Sequence, residues 1–130
     1  MSFGAQISQF TQSAEKKLTN AYRKTGLEIF SRVIQRTPVD TGRARGNWQA
    51  AVGEIPGGQL DELDPSGAEA TNRAAGVALN AELGDTLYLS NNLPYIRELE
   101  YGSSQQAPQG MVRVTTQEFA DIVVKATDNA

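Results

Sequence analysis

Few residues in this chain are equipped for chemistry, and the types it lacks narrow the field most. Among its 130 residues there is no histidine and no cysteine, which removes the commonest proton shuttle near neutral pH, the commonest metal ligand and the thiolate. Catalysis would have to rest on carboxylates, lysine, tyrosine or serine. Glu98 and Glu100 fall two apart on a candidate helix and so point away from each other, a poor general acid/base pair. Asp61, Glu62 and Asp64 could meet a hard cation, but they lack the D-x-D-x-D-G spacing that organises one. No glycine loop of the phosphate-cradling or dinucleotide type is present. The expectation is therefore no catalytic residue, no metal site, no cofactor and no enzyme activity. Arg43 and Arg45 follow Thr41 and Gly42 and could grip phosphate through planar multi-donor guanidiniums. An acidic patch on an adjacent protein, or plain solvation, would satisfy them equally.

The longest structural signal lies at the start of the chain. From Gly4 to about Gln35 the residues Ile7, Phe10, Ala14, Leu18, Ala21, Tyr22, Ile29, Phe30, Val33 and Ile34 recur at threes and fours, a helical stripe. At 1.5 Å per residue that helix would run roughly 45 Å, whereas a compact domain of this size is about 36 Å across. It breaks near Thr25 and Gly26, where helix propensity is poorest, or its first turns lie on a neighbouring subunit, or its N-terminus frays.

Pro38 disfavours helix at Thr37, and Asp40, Thr41 and Gly42 supply turn chemistry, so the chain should reverse there. Ala44, Gly46, Trp48, Ala50 and Val52 alternate with polar or small residues and predict a strand with Trp48 facing the core. Residues 53–64 carry Pro56, Gly57 and Gly58, then Asp61, Glu62 and Asp64, and predict an exposed acidic loop. Asp64 and Pro65 read as cap and first position of an alanine-rich helix running to about Asn80. Thr86 to Ser90 form a β-type run that should pair with the Trp48 strand, antiparallel or through the intervening helix.

Asn91 to Arg113 is the densest run of punctuation in the chain. Pro94 should open a short helix whose Ile96 and Leu99 face inward while Arg97, Glu98 and Glu100 point elsewhere, and Gly102 should stop it. A polar, uncharged loop from Ser103 to Gly110 follows, either a solvated spacer or a surface that something else covers. Beyond it Val112, Thr115, Thr116, Phe119, Ile122, Val123 and Ala126 share one helical face, with Glu118 and Asp121 on the outer side; the alternation of Met111 to Thr115 would also permit a strand, but the longer helical pattern continues to Ala126. These elements predict a single domain over 1–130 of the α+β class. A small antiparallel or mixed sheet would pack against a long N-terminal helix and a C-terminal helix.

Two stretches, RTPVDTGRARGNW from Arg36 to Trp48 and LPYIRELEYGSSQQAPQGMVR from Leu93 to Arg113, together carry a resemblance. The chain resembles the neck or tail-completion proteins of long-tailed bacteriophages, in which a T-P-V-D-T-G element ending in tryptophan precedes a Y-x-x-x-L-E-Y-G-x-S-x-Q-A-P-x-G-M-V-R element. Thr37 to Gly42 and Trp48 match the first; Tyr95, Leu99, Glu100, Tyr101, Gly102, Ser104, Gln106, Ala107, Pro108, Gly110, Met111, Val112 and Arg113 match the second. The likeness spans nearly the whole chain in order and spacing.

That resemblance implies a structural virion protein, assembled in the bacterial host cytoplasm, whose ring of identical subunits completes the tail end and joins it to the DNA-filled head. It suggests six-fold order, with other neck, head-closure, tail-terminator or tail-tube proteins as partners. On this reading Tyr95, Tyr101, Gly102, Gln105, Gln106, Pro108, Gly110 and Met111 form a subunit or partner interface, with Tyr101 and Met111 as anchors, while Arg43 and Arg45 face genomic DNA or an acidic partner. Charge bears on stacking: residues 1–45 sum to +5 and residues 46–130 to −8, so copies could meet head to tail unless folding interleaves the two signs. No apolar run approaches the roughly 20 residues of a membrane span, and neither a membrane nor a small-molecule substrate is expected. The alternative is a small soluble binding or regulatory protein with local nucleic-acid contact.

Overall fold

The computed structural model describes residues 2–130. Helix α1 (Phe3–Arg36) is continuous over 34 residues, about 51 Å at the standard rise. Ser2 caps it, its Oγ accepting the Ala5 N–H at 3.1 Å, and Pro38 ends it by holding Thr37 extended at φ −71°, ψ 127°. No break occurs at Thr25 and Gly26. Gly26 instead lies tight against the sheet, since a Cβ there would lie 2.8 Å from Leu87 Cδ1; the glycine permits packing and leaves the hydrogen-bond ladder intact. Only the C-terminal half of α1 is covered, with Gly26, Phe30, Val33 and Ile34 buried. Between Ser2 and Leu18 every residue but the half-buried Ala14 is exposed.

A one-turn helix, α2 (Arg43–Gly46), precedes strand β1 (Gln49–Val52). The strand expected from Ala44 therefore starts later. Gly42 at φ 91° turns the chain, the Thr41 Oγ1 accepts the Arg43 N–H, and Gly46 N–H closes back on the Gly42 carbonyl, so a helical turn wins over extension. Trp48 is buried at its exit, as expected of a packing anchor. Helix α3 (Ala68–Ala78) begins three residues after Pro65, because Asp64 to Gly67 first close a turn. The buried Asp64 still serves the helix, its Oδ2 accepting the Ala70 N–H at 2.9 Å.

Strand β2 (Leu87–Ser90) pairs antiparallel with β1, Gln49 opposite Ser90 and Val52 opposite Leu87. Ala70, Ala74 and Ala78 line the covered face of α3, and their small side chains let it lie close to both α1 and β1. Helix α4 (Ile96–Glu100) follows. The C-terminal helix expected to be single is two, α5 (Val112–Gln117) and α6 (Phe119–Asp128), divided at Glu118 with φ −95° and ψ 4°. Glu118 does not face outward as its position on a continuous helix would require; its carboxylate is drawn to α1.

The core joins Phe30, Val33 and Ile34 of α1 to Trp48, the α3 alanines, Ala107 and Met111, with Leu87, Leu89, Ile96 and Leu99 packed around it. The class is α+β: a long N-terminal helix, a two-stranded antiparallel sheet and C-terminal helices.

Candidate assembly surface

The two sequence elements far apart in the chain meet in space, and polar side chains knit them together. Thr37 is fully buried; its Oγ1 donates to the Val33 carbonyl at 2.8 Å and accepts from Trp48 Nε1 at 2.8 Å. Arg45 donates to three backbone carbonyls, those of Gln35, Thr37 and Pro65, at 2.8 to 2.9 Å. Asn47, also fully buried, holds the start of the acidic segment by donating to the Leu60 carbonyl and accepting its N–H. Gln106 reaches across from the second element and pairs with both backbone groups of Val39, accepting at 2.8 Å and donating at 3.0 Å. A single amide thus reproduces the two bonds that a neighbouring strand would make. Beside this clip lies a cleft of about 230 Å3, bounded by Val39, Thr41, Arg43, Tyr95, Leu99 and Gln106 among others.

Glu100, expected to point away from the body, organises the loop. Its carboxylate accepts the N–H groups of Met111, Val112 and Arg113 at 2.8 to 3.0 Å and the Arg113 Nε at 3.1 Å. Those three amides are orphan donors at the start of α5, so the carboxylate closes the loop onto the helix that follows it. Burial pushes the Glu100 carboxyl up, but the three amides and Arg113 outweigh it and hold it below the ordinary carboxylate value. Gly102 (φ 91°) and Gly110 (φ 87°) stand where the chain leaves and re-enters this clamp; any L residue at either would be strained, and a Cβ on Gly102 would meet the Pro108 carbonyl oxygen at 2.5 Å.

This geometry sorts the residues singled out in the sequence. Met111 is 0% exposed and belongs to the chain's own core, so it cannot anchor a partner; a long apolar side chain next to a positive-φ glycine turns inward here. Gly110 is likewise buried. Tyr101 is 66% exposed, and the Arg113 guanidinium lies 5.0 Å from its ring centroid. Gln105 and Pro108 are exposed beside it, and Tyr95, 40% exposed, stands at the rim of the cleft. Gln106 is exposed but committed to Val39. Of the two arginines, Arg45 is engaged by carbonyls of its own chain, while Arg43 is exposed with one contact to Gln59 at 3.2 Å.

Glu118 anchors a separate ionic cluster against α1. Arg36 donates to its two oxygens at 2.6 and 2.9 Å, and Arg32 adds a bond at 3.0 Å. Arg36 first, then Arg32, hold the Glu118 carboxyl down at about 2. Glu118 lies in no motif, and Glu100, though part of the second sequence element, is given no capping role by its local sequence; each role depends on a partner supplied by folding. Among the described residues no group of three or more His, Cys, Asp or Glu could hold a metal ion, and no helix is long and apolar enough to cross a membrane.

What these residues offer is a rigid, polar-knit corner with an exposed tyrosine, a glutamine and a proline. The largest uncovered apolar side chains lie elsewhere, Phe3 at 77% and Phe10 at 73% exposure on α1. The chain matches no protein-family model, no curated protein and no solved structure.

Proposed function

We propose that this protein is a structural component of the neck of a long-tailed bacteriophage, a ring of identical subunits that completes the tail end and joins it to the DNA-filled head. The observation that carries the reading is the exposed half of α1. From Ser2 to Ala14 the helix has no charged side chain, yet it displays Phe3, Ile7 and Phe10 to solvent, a surface suited to a protein partner and to no reaction. The pair of sequence elements similar to tail-completion proteins supports the same reading, and the tight joining of those elements gives them a shared structural purpose.

Within this reading Tyr101, Gln105 and Pro108 form the part of the loop that meets a neighbouring neck or tail protein. Arg43 is the arginine whose guanidinium can face DNA in the channel. The protein performs no catalysis and binds no cofactor.

Mixing purified protein with tail tubes and DNA-filled heads, then measuring mass and the yield of joined particles, tests the proposal. A ring-sized species and restored joining are expected, and Tyr101→Ala should weaken assembly by more than about 1 kcal/mol if Tyr101 is a central contact. A stable monomer that never enters a particle would overturn the neck assignment and favour a small soluble binding protein. Charge reversal at Arg43 alone, sparing the structural Arg45, tests the channel contact through genome retention.

A further inference from the structure

We infer that the N-terminal arm of α1, residues 3–18, lies in an apolar cleft on a second copy of this chain, the cleft walled by the middle of α1, the start of β2 and the first turns of α6. This deepens the ring reading, on which it rests for the identity of the partner. At 100° per residue Phe3, Ile7, Phe10, Ala14 and Leu18 fall within an arc of about 80°, so the arm presents one narrow stripe. Its other positions up to Ser13 are Gly, Ala, Ser, Gln or Thr. The arm carries no Lys or Arg from Phe3 to Ala14, and Lys16 and Lys17 stand only at its end beside Glu15, too few for the basic polar face of a helix that lies on a membrane or for the phosphate contacts that nucleic acid would require.

The cleft matches the arm in character. It encloses about 500 Å3, and its walls include Ile29, Phe30, Leu87, Phe119 and Val123. Its one charged wall residue, Asp85, already accepts the Glu82 N–H at 2.7 Å. Phe119 is half exposed in the isolated chain, leaving an aromatic edge uncovered. The arm cannot reach this cleft within its own chain, because α1 is continuous from Phe3 to Arg36 and the cleft lies on that same helix beyond the arm. Covering Phe3, Phe10, Ile7 and Leu18 would remove about 500 Å2 from the arm, and with the facing wall about 1,000 Å2 per contact, the lower bound for a specific interface. Arm and cleft are unlike surfaces of one chain, so the contact is heterologous and can repeat around a ring.

Because the chain contains no cysteine, a pair of single substitutions on separate molecules reads the contact directly. Phe10→Cys on one full-length copy and Val123→Cys on a second, differently tagged copy are mixed and mildly oxidised. The mixed disulfide should form about tenfold faster than between Phe10→Cys and a control, Glu54→Cys, in the loop after β1, because docking raises the effective concentration of the two thiols. No enrichment over the control overturns the inference, and so does a predominance of Phe10→Cys homodimers, which would mean that arms pair with each other. If particles still join while the enrichment is absent, the neck reading survives and the arm has another seat. Enrichment in a protein that never enters particles keeps the arm-and-cleft contact and removes the neck reading; enrichment with a dimeric mass keeps the contact and removes the ring.

Discussion

The corner where residues 37–48 meet residues 95–113 and the arm at residues 3–18 solve opposite problems. In the corner the polar side chains that join the two segments are held within their own chain: Thr37 with Val33 and Trp48, Gln106 with Val39, Glu100 with three amides. The arm makes almost no contact with the body, and its aromatic residues are the most exposed large apolar side chains among the described residues. A sequence rich in punctuation thus serves mainly to build a rigid corner, whereas a plain amphipathic helix supplies the uncovered surface. Dense motif and contact surface need not coincide.

The sharpest way to break this contrast is to remove the anchor of the corner. Trp48→Ala deletes a buried indole and leaves the Thr37 hydroxyl without its donor, and should destabilise the protein by about 4 kcal/mol. Urea unfolding measures it; a loss below about 1 kcal/mol would mean that the corner is not part of the cooperative core. Glu100→Ala comes next. It orphans three amide donors at the start of α5, and a loss of about 2 kcal/mol is expected from unmet hydrogen bonding. Hydrogen exchange at Met111, Val112 and Arg113 should accelerate in that variant, while exchange in the arm stays as it was.

How far the sequence disclosed this arrangement depends on the range of the interaction. The long helix, the two strands, the turn at Pro38 and the stop at Gly102 were legible because each follows from local periodicity or backbone preference, whereas the sense of the strand pairing was left open. Trp48 was legible as an anchor, though not its bond to Thr37. The capping by Glu100, the division of the C-terminal helix at Glu118 and the clip between Gln106 and Val39 were not, since each joins residues between 11 and 86 positions apart. Met111 was misplaced for the same reason. A methionine at the end of a polar loop reads as an exposed anchor until the three-dimensional path turns it under the loop.

The pH dependence sharpens the comparison further. The Glu118 carboxyl is held at about 2 in the folded chain against an ordinary value of 4.5, and Glu100 is lowered too. A depressed carboxylate adds stability that is fully present above its unfolded value and is lost as pH falls toward the folded one. Stability should therefore decline from about pH 4.5 toward pH 2. Glu118→Gln should be less stable than the wild type at neutral pH and show a flatter decline over that window, with the two curves converging at the acid end. Parallel curves would mean that the contacts of Arg32 and Arg36 to Glu118 carry no net coupling.

The smallest effect on folding is expected in the arm. Phe3→Ser with Phe10→Ser removes two aromatic rings, a change that would be severe in a core; but both side chains already face water, so the folded and unfolded states lose nearly the same apolar exposure. In dilute solution, where the chain is monomeric and no second copy covers the arm, unfolding free energy should stay within about 0.5 kcal/mol of the wild type, and the near-zero value is itself informative. A measured loss above about 1 kcal/mol would show that the rings are covered within the single chain, which erases the distinction between corner and arm. An unchanged value, read beside the loss from Trp48→Ala, would leave one molecule with two surfaces of opposite design, the one closed by its own hydrogen bonds and the other completed only by contact with another protein.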